Sequence, residues 1–125
     1  MNLILDPKAS GLSKVFKEYQ REALNFIWKN EGKGLTSRMV YSYVNDRLDG
    51  GKSISRASII NFLNAMVDDG VLDFVEETGK GGYHRVYSAK LDEAGFKRGL
   101  AESVVSSLMK DFPEETRKVI QEYVK

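Results

Sequence analysis

The sequence predicts an α+β, mostly helical fold: a winged helix-turn-helix followed by a C-terminal helical extension that mediates dimerisation. Three apolar patterns of helical period occupy residues 17–70 and are separated by short turns that contain glycine. After Gly70 the period changes, because two alternating, β-branched and aromatic runs flank a glycine-rich segment, which is typical of a β-hairpin. From Leu91 the pattern is helical again. Three helices followed directly by a hairpin indicate this fold better than any single motif does.

Length, composition and charge narrow the class of protein. The 125 residues correspond to one domain or a small domain with an appendage, and the net charge of +1 gives no overall attraction to nucleic acid. A basic surface must therefore come from local segregation of charge. The absence of cysteine excludes disulfides and thiolate metal sites and agrees with a cytoplasmic location. No apolar run is long enough to span a membrane and the first residues lack a signal-peptide pattern, so no membrane partner is expected.

The first two helices are predicted from apolar residues at helical spacing. The first helix covers residues 17–30 and is ended by Gly32 and Gly34. Its apolar face comprises Tyr19, Ala23, Leu24, Phe26, Ile27 and Trp28. The second helix begins after a cap at Thr36 or Ser37. Its apolar residues are Met39, Val40, Tyr43, Val44 and Leu48.

The third helix is predicted between residue 53 and Gly70, and it has two unlike faces. Its apolar stripe comprises Ile59, Phe62, Leu63, Met66 and Val67, after an expected N-cap at Ser55. Its N-terminal half is polar, and asparagine pairs with adenine and arginine with guanine in the major groove. The candidate DNA-contacting residues are Ser55, Arg56, Ala57, Ser58, Asn61 and Asn64. Taken alone, the stretch equally predicts an ordinary surface helix, and only its neighbours favour DNA recognition.

Further DNA contacts are predicted outside the third helix. The hairpin strands are expected over residues 71–77 and 83–89, and residues 78–82 form the loop at the tip of the wing. The phosphate-contacting candidates are Lys80 at the tip, Arg85 beside it, and Ser37 and Arg38 at the start of the second helix. Asp68 and Asp69 would repel phosphate, so the end of the helix that carries them should face away from DNA.

The last part of the chain is predicted to dimerise. Apolar residues recur at every fourth position from Phe96, and Pro113 is expected to start a second helix at its first turn. So short a segment cannot build a core alone, so it either folds back on the first 90 or so residues or pairs with a second copy. We favour pairing, because the apolar stripe is long and the winged part has enough apolar residues for its own core. The dimerisation residues would be Phe96, Leu100, Val104, Leu108, Phe112, Val119, Ile120 and Tyr123. The predicted domains are residues 1–90, winged helix with N-terminal arm, and residues 91–125. A homodimer should bind a pseudo-palindromic operator.

Three groups of residues are similar to the motifs of one family. They are Leu24, Ile27 and Trp28; Ser55, Ser58, Ile59, Leu63 and Gly70–Val71–Leu72; and Val86–Tyr87–Ser88. On these residues the chain, over about residues 17–112, resembles the penicillinase-repressor family of bacterial and archaeal transcription factors. The resemblance implies a dimeric winged-helix repressor that binds double-stranded DNA. Arg21, Tyr83 and Arg85 depart from the family pattern, and the cleavage site of its well-known members is not evident, so proteolytic induction is not implied.

Other classes of function have less support in the residues. His84 is the only histidine and cysteine is absent, so no metal site is expected. Gly51–Lys52–Ser53 resembles the end of a P-loop but lacks the earlier glycine and the preceding strand. No nucleophile has a credible partner, so we expect neither catalysis nor a cofactor. Two alternatives stay open: a protein-interaction winged helix in a larger assembly without a DNA role, and a regulator whose small-molecule effector binds between the winged part and the C-terminal helices.

Overall fold

The computed structural model describes residues 3–124, whose elements follow the predicted order. The helices are α1 (Glu18–Lys29), α2 (Ser37–Arg47), α3 (Arg56–Asp68), α4 (Glu93–Asp111) and α5 (Pro113–Tyr123), with a short 3-10 helix at Gly11–Lys14; the strands are β1 (Leu35–Thr36), β2 (Leu72–Gly79) and β3 (Gly82–Ala89). The described residues divide into two compact units, 3–92 and 93–124. This is the predicted α+β, mostly helical class, and the hairpin of β2 and β3 directly follows α3.

The three strands form one antiparallel sheet in the order β1-β3-β2. The short strand β1 pairs with the C-terminal half of β3, where Leu35 lies opposite Tyr87. Strands β2 and β3 pair along their whole length, and the last pair joins Gly79 to Gly82. The predicted five-residue loop of the wing is therefore wrong in length, since only two residues remain in the turn and the strands extend to its glycines. The paired part of the hairpin is therefore longer than predicted and continues to the Gly79–Gly82 pair.

The core of the first unit is built from one face of each helix. The buried positions recur at intervals of three or four residues, as expected when a helix packs one stripe against its neighbours. They include Ala23, Leu24 and Ile27 of α1, Val40 and Val44 of α2, and Ile59, Phe62, Leu63 and Met66 of α3. The sheet closes this core with Leu35, Leu72 and Tyr87, all at most 6% exposed. This burial confirms the helical periods predicted from the sequence except at Met39, which is predicted on the apolar face of α2 but is 50% exposed.

The two glycines after α1 have different physical roles. Gly32 has a φ of +84°, a left-handed conformation that L side chains rarely adopt, so it turns the chain away from the helix. Gly34 has no positive φ, and a Cβ added to it would lie 2.3 Å from Cγ1 of Val86. Gly34 is therefore required for the close approach of the chain to β3. The prediction that a glycine turns the chain after the first helix is thus confirmed for Gly32. For Gly34 it is wrong, because glycine is needed there for the contact with Val86.

In the second unit, α4 and α5 are separated at Phe112, which is the N-cap of α5. Pro113 occupies the first turn of α5 and Glu114 and Glu115 lie beside it, which confirms the predicted start of this helix. None of the helices in the described part of the chain is both long and apolar enough to cross a membrane.

The apolar residues of α4 do not form the single stripe that the sequence pattern predicts. A helix turns by about 100° per residue, so a spacing of four residues advances the stripe by about 40° beyond a full turn. From Phe96 to Leu108 the rotation amounts to about 120°. Phe96 is accordingly fully buried, whereas Leu108 is 42% exposed.

Candidate nucleic-acid interface

The N-terminus of α3 is held by two serines that the sequence singled out. Oγ of Ser55 accepts a hydrogen bond from the backbone N–H of Ser58 at 3.1 Å, which confirms Ser55 as the N-cap. The Ser55 hydroxyl also donates to Oγ of Ser58 at 2.9 Å. Both hydroxyls therefore take part in capping the helix. Arg56, the first residue of α3, is charged and exposed.

The starts of α2 and α3 adjoin. Nη2 of Arg56 donates to Oγ of Ser37 across 3.4 Å, which joins the first residue of one helix to the first residue of the other. Thr36 is the N-cap of α2, because its hydroxyl accepts from the N–H of Met39 at 3.2 Å. The sequence predicts the N-cap of this helix at either Thr36 or Ser37, and the structure places it at Thr36. The Ser37 hydroxyl accepts the hydrogen bond from Arg56 instead. Arg38 is exposed next to this contact in the sequence.

The exposed face of α3 is polar at its start and acidic at its end. Arg56, Ala57 and Asn61 are exposed, and Ile60 and Asn64 are half-buried beside them. Asp68 is exposed at the far end. Arg56 and Asp68 are twelve positions apart, which at 1.5 Å per residue is about 18 Å along the axis. The acids therefore lie about three turns beyond the polar start of the helix.

Asn64 and Arg85, both predicted to contact DNA, are hydrogen-bonded to each other. Oδ1 of Asn64 accepts hydrogen bonds from the Tyr87 hydroxyl at 2.6 Å and from Nη1 of Arg85 at 3.0 Å. The guanidinium of Arg85 lies 3.9 Å from the centroid of the Phe74 ring, within cation–π range. We call Asn64, Phe74, Arg85 and Tyr87 the helix–hairpin junction, since it joins the third turn of α3 to both strands.

At this junction, burial and the charge of Arg85 shift the pKa of the Tyr87 hydroxyl in opposite directions. Burial raises the pKa of the Tyr87 hydroxyl above its ordinary value of 10.0, and the charge and hydrogen bonding of Arg85 offset part of the rise. Tyr87 consequently stays protonated and donates its hydrogen bond to Asn64 throughout the physiological range of pH.

Lys80 lies at the tip of the hairpin, as predicted, and is exposed. Arg85 does not lie beside it. Arg85 pairs with Glu76, three pairs away from the closing Gly79–Gly82 pair, which corresponds to about 10 Å along the strands. The hairpin therefore presents two separate cations, one free at the tip and one half-buried at the junction.

A cluster that the sequence did not point to lies on α1 and α2. The rings of Phe26 and Tyr43 stack with centroids 4.2 Å apart, and the guanidinium of Arg47 covers the Tyr43 ring at 3.6 Å. Lys29 lies 5.9 Å from the same ring. The helical spacing of Tyr43 and Arg47 was the available signal, but the sequence pattern predicts Tyr43 as part of the apolar face of the second helix.

The predicted dimerisation residues fall into two groups by exposure. Phe96 is buried and has no surface to offer a second copy, and Leu100, Val104 and Ile120 are half-buried. Leu108, Phe112, Val119 and Tyr123 are all more than 40% exposed. An apolar groove of about 350 Å³ between α4 and α5 is lined by Val105, Leu108, Phe112, Glu115, Thr116, Val119 and Ile120. An unpaired apolar surface therefore exists on this unit, and it is centred on Phe112.

A second groove, of about 530 Å³, lies within the first unit. Its floor includes Phe16, Phe62 and Met66, and the N-terminal segment forms one wall. This segment folds back on itself, because the N–H of Asp6 donates to the carbonyl of Lys14 at 2.7 Å. The first unit thus has an open groove between its N-terminal segment and α3. Within residues 3–124, no three His, Asp or Glu side chains come together as a possible metal site.

No protein-family model and no curated protein matches the chain. Among solved structures, it is similar to a chain of the crystal structure of the Giardia lamblia Hop2-Mnd1 complex, with 13% identity and a TM-score of 0.37. The match covers 83% of this chain and 64% of the length of that one.

Proposed function

We propose that this protein is a transcriptional regulator that binds double-stranded DNA, with the first two turns of α3 in the major groove. The observation that carries the proposal is the contact between Arg56 and Ser37, 3.4 Å apart, which brings the starts of α2 and α3 together on one exposed surface. A recognition helix reads base edges with its N-terminal residues while the preceding helix touches the backbone. Arg56 and Asn61 have the chemistry for guanine and adenine.

The charges of the described residues support this orientation. Arg38, Arg56 and Lys80 are exposed, and no salt bridge within residues 3–124 occupies them. Ala57 is the small exposed residue between Arg56 and the amides, where a thymine methyl group can be contacted. In this arrangement Asp68 and Asp69 lie at the end of α3 that points out of the groove.

The proposal includes a homodimer formed through α4 and α5. Its support is the exposed apolar surface around Phe112, which is 56% exposed and borders the groove between the two helices. Water contact with so many apolar side chains is unfavourable, and a second copy of the same surface would remove it. A twofold dimer would recognise a pseudo-palindromic site with half-sites about one helical turn, or a multiple of it, apart.

Membership of the penicillinase-repressor family and repression of a gene remain part of the proposal. They are supported by the motifs around Ser55, Gly70 and Tyr87 and by the order of elements. Binding of an operator that overlaps a promoter would be sufficient for repression, without any catalytic step.

A second candidate is a protein-interaction winged helix without a DNA role. The hairpin supports it, because Asp73, Glu76 and Glu77 are exposed on β2 and Val75 is 60% exposed among them. The carboxylates of β2 repel phosphate. The exposed Val75 side chain is an apolar surface that a protein partner would cover.

Selection from a random pool of DNA duplexes separates the two candidates. We expect the regulator to enrich a pseudo-palindromic sequence, and its affinity to fall with salt in proportion to the number of phosphates contacted. Failure to enrich any sequence, with no salt-dependent binding to the pool, would exclude the first candidate and favour the second.

A further inference from the structure

The amide of Asn64 has one orientation only. Arginine carries no hydrogen-bond acceptor, so the Asn64 atom 3.0 Å from Nη1 of Arg85 must be the carbonyl oxygen. That oxygen also receives the Tyr87 hydroxyl at 2.6 Å. A carbonyl oxygen has two lone pairs, and both are used by these donors.

With both lone pairs of its oxygen occupied, Asn64 cannot make the bidentate contact with adenine for which it is a candidate. A bidentate contact with adenine needs an amide that can donate and accept at the same time. The acceptor of Asn64 is already used inside the protein, and Nδ2 makes no hydrogen bond within residues 3–124. Asn64 can only donate outward, so Asn61, which is exposed, is the asparagine of α3 that remains able to read adenine.

We propose that Asn64 is a positioning residue that fixes the hairpin and the Arg85 guanidinium against α3, so that Arg85 is held ready for a backbone phosphate; the proposal rests on the DNA-binding function above. Nη1 of Arg85 is directed by Asn64, and its plane is supported at 3.9 Å by the Phe74 ring. Arginine has five N–H donors, so one bond to Asn64 leaves others for a phosphate. The free Nδ2 of Asn64 adds a donor at the same place.

The first experiment needs no DNA. Hydrogen–deuterium exchange of the β2 and β3 amides is compared between the parent chain and Asn64→Ala, Asn64→Asp and Asn61→Ala. Loss of two part-buried hydrogen bonds should speed exchange in the hairpin about tenfold in Asn64→Ala, with α1 unchanged. Asn64→Asp keeps an acceptor for both donors and should retain the protection, and Asn61→Ala is the matched control on the exposed face of the same helix.

The second experiment uses the enriched duplex in a double-mutant cycle. If Asn64 acts through Arg85, Arg85→Ala should cost about tenfold in affinity in the parent but much less in the Asn64→Ala background. Asn64→Ala should leave the preferred sequence unchanged, whereas Asn61→Ala should relax it at one position.

The outcomes separate the two proposals. Equal hairpin exchange in the parent and Asn64→Ala, or a change of base preference in Asn64→Ala like that of Asn61→Ala, would overturn the positioning role. If the parent selects no duplex, the DNA-binding proposal fails, while faster hairpin exchange in Asn64→Ala alone would still support the coupling of α3 to the hairpin and remove only its link to phosphate.

Discussion

The backbone N–H of Ile54 donates to Oδ1 of Asn45 across 2.8 Å, and Nδ2 of Asn45 approaches the carbonyl of Ile54 at 3.3 Å. One side chain of α2 thus pairs with both backbone groups of the residue just before the cap of α3. Nδ2 also donates to the carbonyl of Tyr41 at 2.9 Å, which fixes the amide on its own helix. Asn45 therefore sets where α3 begins relative to α2, although nothing in the sequence pattern marks it.

Asn45→Ala should lower the free energy of unfolding by about 1–3 kcal/mol, because it leaves the part-buried backbone groups of Ile54 without their partner. Urea denaturation followed by circular dichroism measures this change. Asn30→Ala is the matched control, since Asn30 donates to the carbonyl of Phe26 at 2.8 Å in the same way but ties down no distant segment. Equal losses in the two variants would contradict the role assigned to Asn45.

Gly34→Ala should also destabilise the fold, by about 1–3 kcal/mol, because the new methyl group collides with Cγ1 of Val86. The double variant Gly34→Ala/Val86→Ala removes the colliding atom and should lose less stability than the sum of the two single changes. Thermal melting of all three variants gives the comparison. Additive losses would show that the contact is not the reason for glycine at this position.

Arg56→Ala and Lys80→Ala should weaken DNA binding in different ways. Loss of Arg56 should cost about 1–3 kcal/mol with the selected duplex and relax the preference at one base, while loss of Lys80 should weaken all sequences alike and reduce the salt slope by about one. Gel-shift titrations at several salt concentrations measure both effects. Lys118→Ala removes the same charge from α5 and serves as the control. Parent-like binding by both variants would refute the proposed surface.

Replacing Leu108 and Phe112 together with Asp should convert the proposed dimer into a monomer, since two charges would be buried in an apolar interface. Light scattering gives the mass, and circular dichroism shows whether the helices persist. Tyr83→Asp is the control, because Tyr83 is 78% exposed on the hairpin, outside the proposed interface. A folded dimer in the double variant would exclude α4 and α5 as the interface.

Tyr87 makes stability depend on alkaline pH. Burial raises the pKa of its hydroxyl in the folded chain, with Arg85 acting in the opposite direction, so folding favours the protonated form. The stabilisation is fully present below pH 10, the unfolded value, and is lost as the pH rises through the higher pKa of the folded state. The urea midpoint of the parent should therefore fall more steeply above pH 10 than that of Tyr87→Phe, and parallel curves would contradict this.

Local signals in the sequence were sufficient for much of the fold. The cap at Ser55, the apolar period of α3 and the start of α5 at Pro113 depend only on residues within one or two turns, and all three are confirmed. The length of the hairpin turn was wrong by three residues, because ladder hydrogen bonds extend the strands into glycines that composition alone assigns to a loop.

The sequence by itself determined the order of elements and the polar start of α3, because capping and periodicity are local properties of the chain. Only the tertiary structure decided what Asn64 and Arg85 do, since these residues are 21 positions apart and meet through the register of β3 against α3. The same holds for Phe96 and Leu108, which share a sequence pattern but differ in burial. Which partner a side chain meets depends on how the elements rotate and pack, and that information lies outside any local window of the sequence.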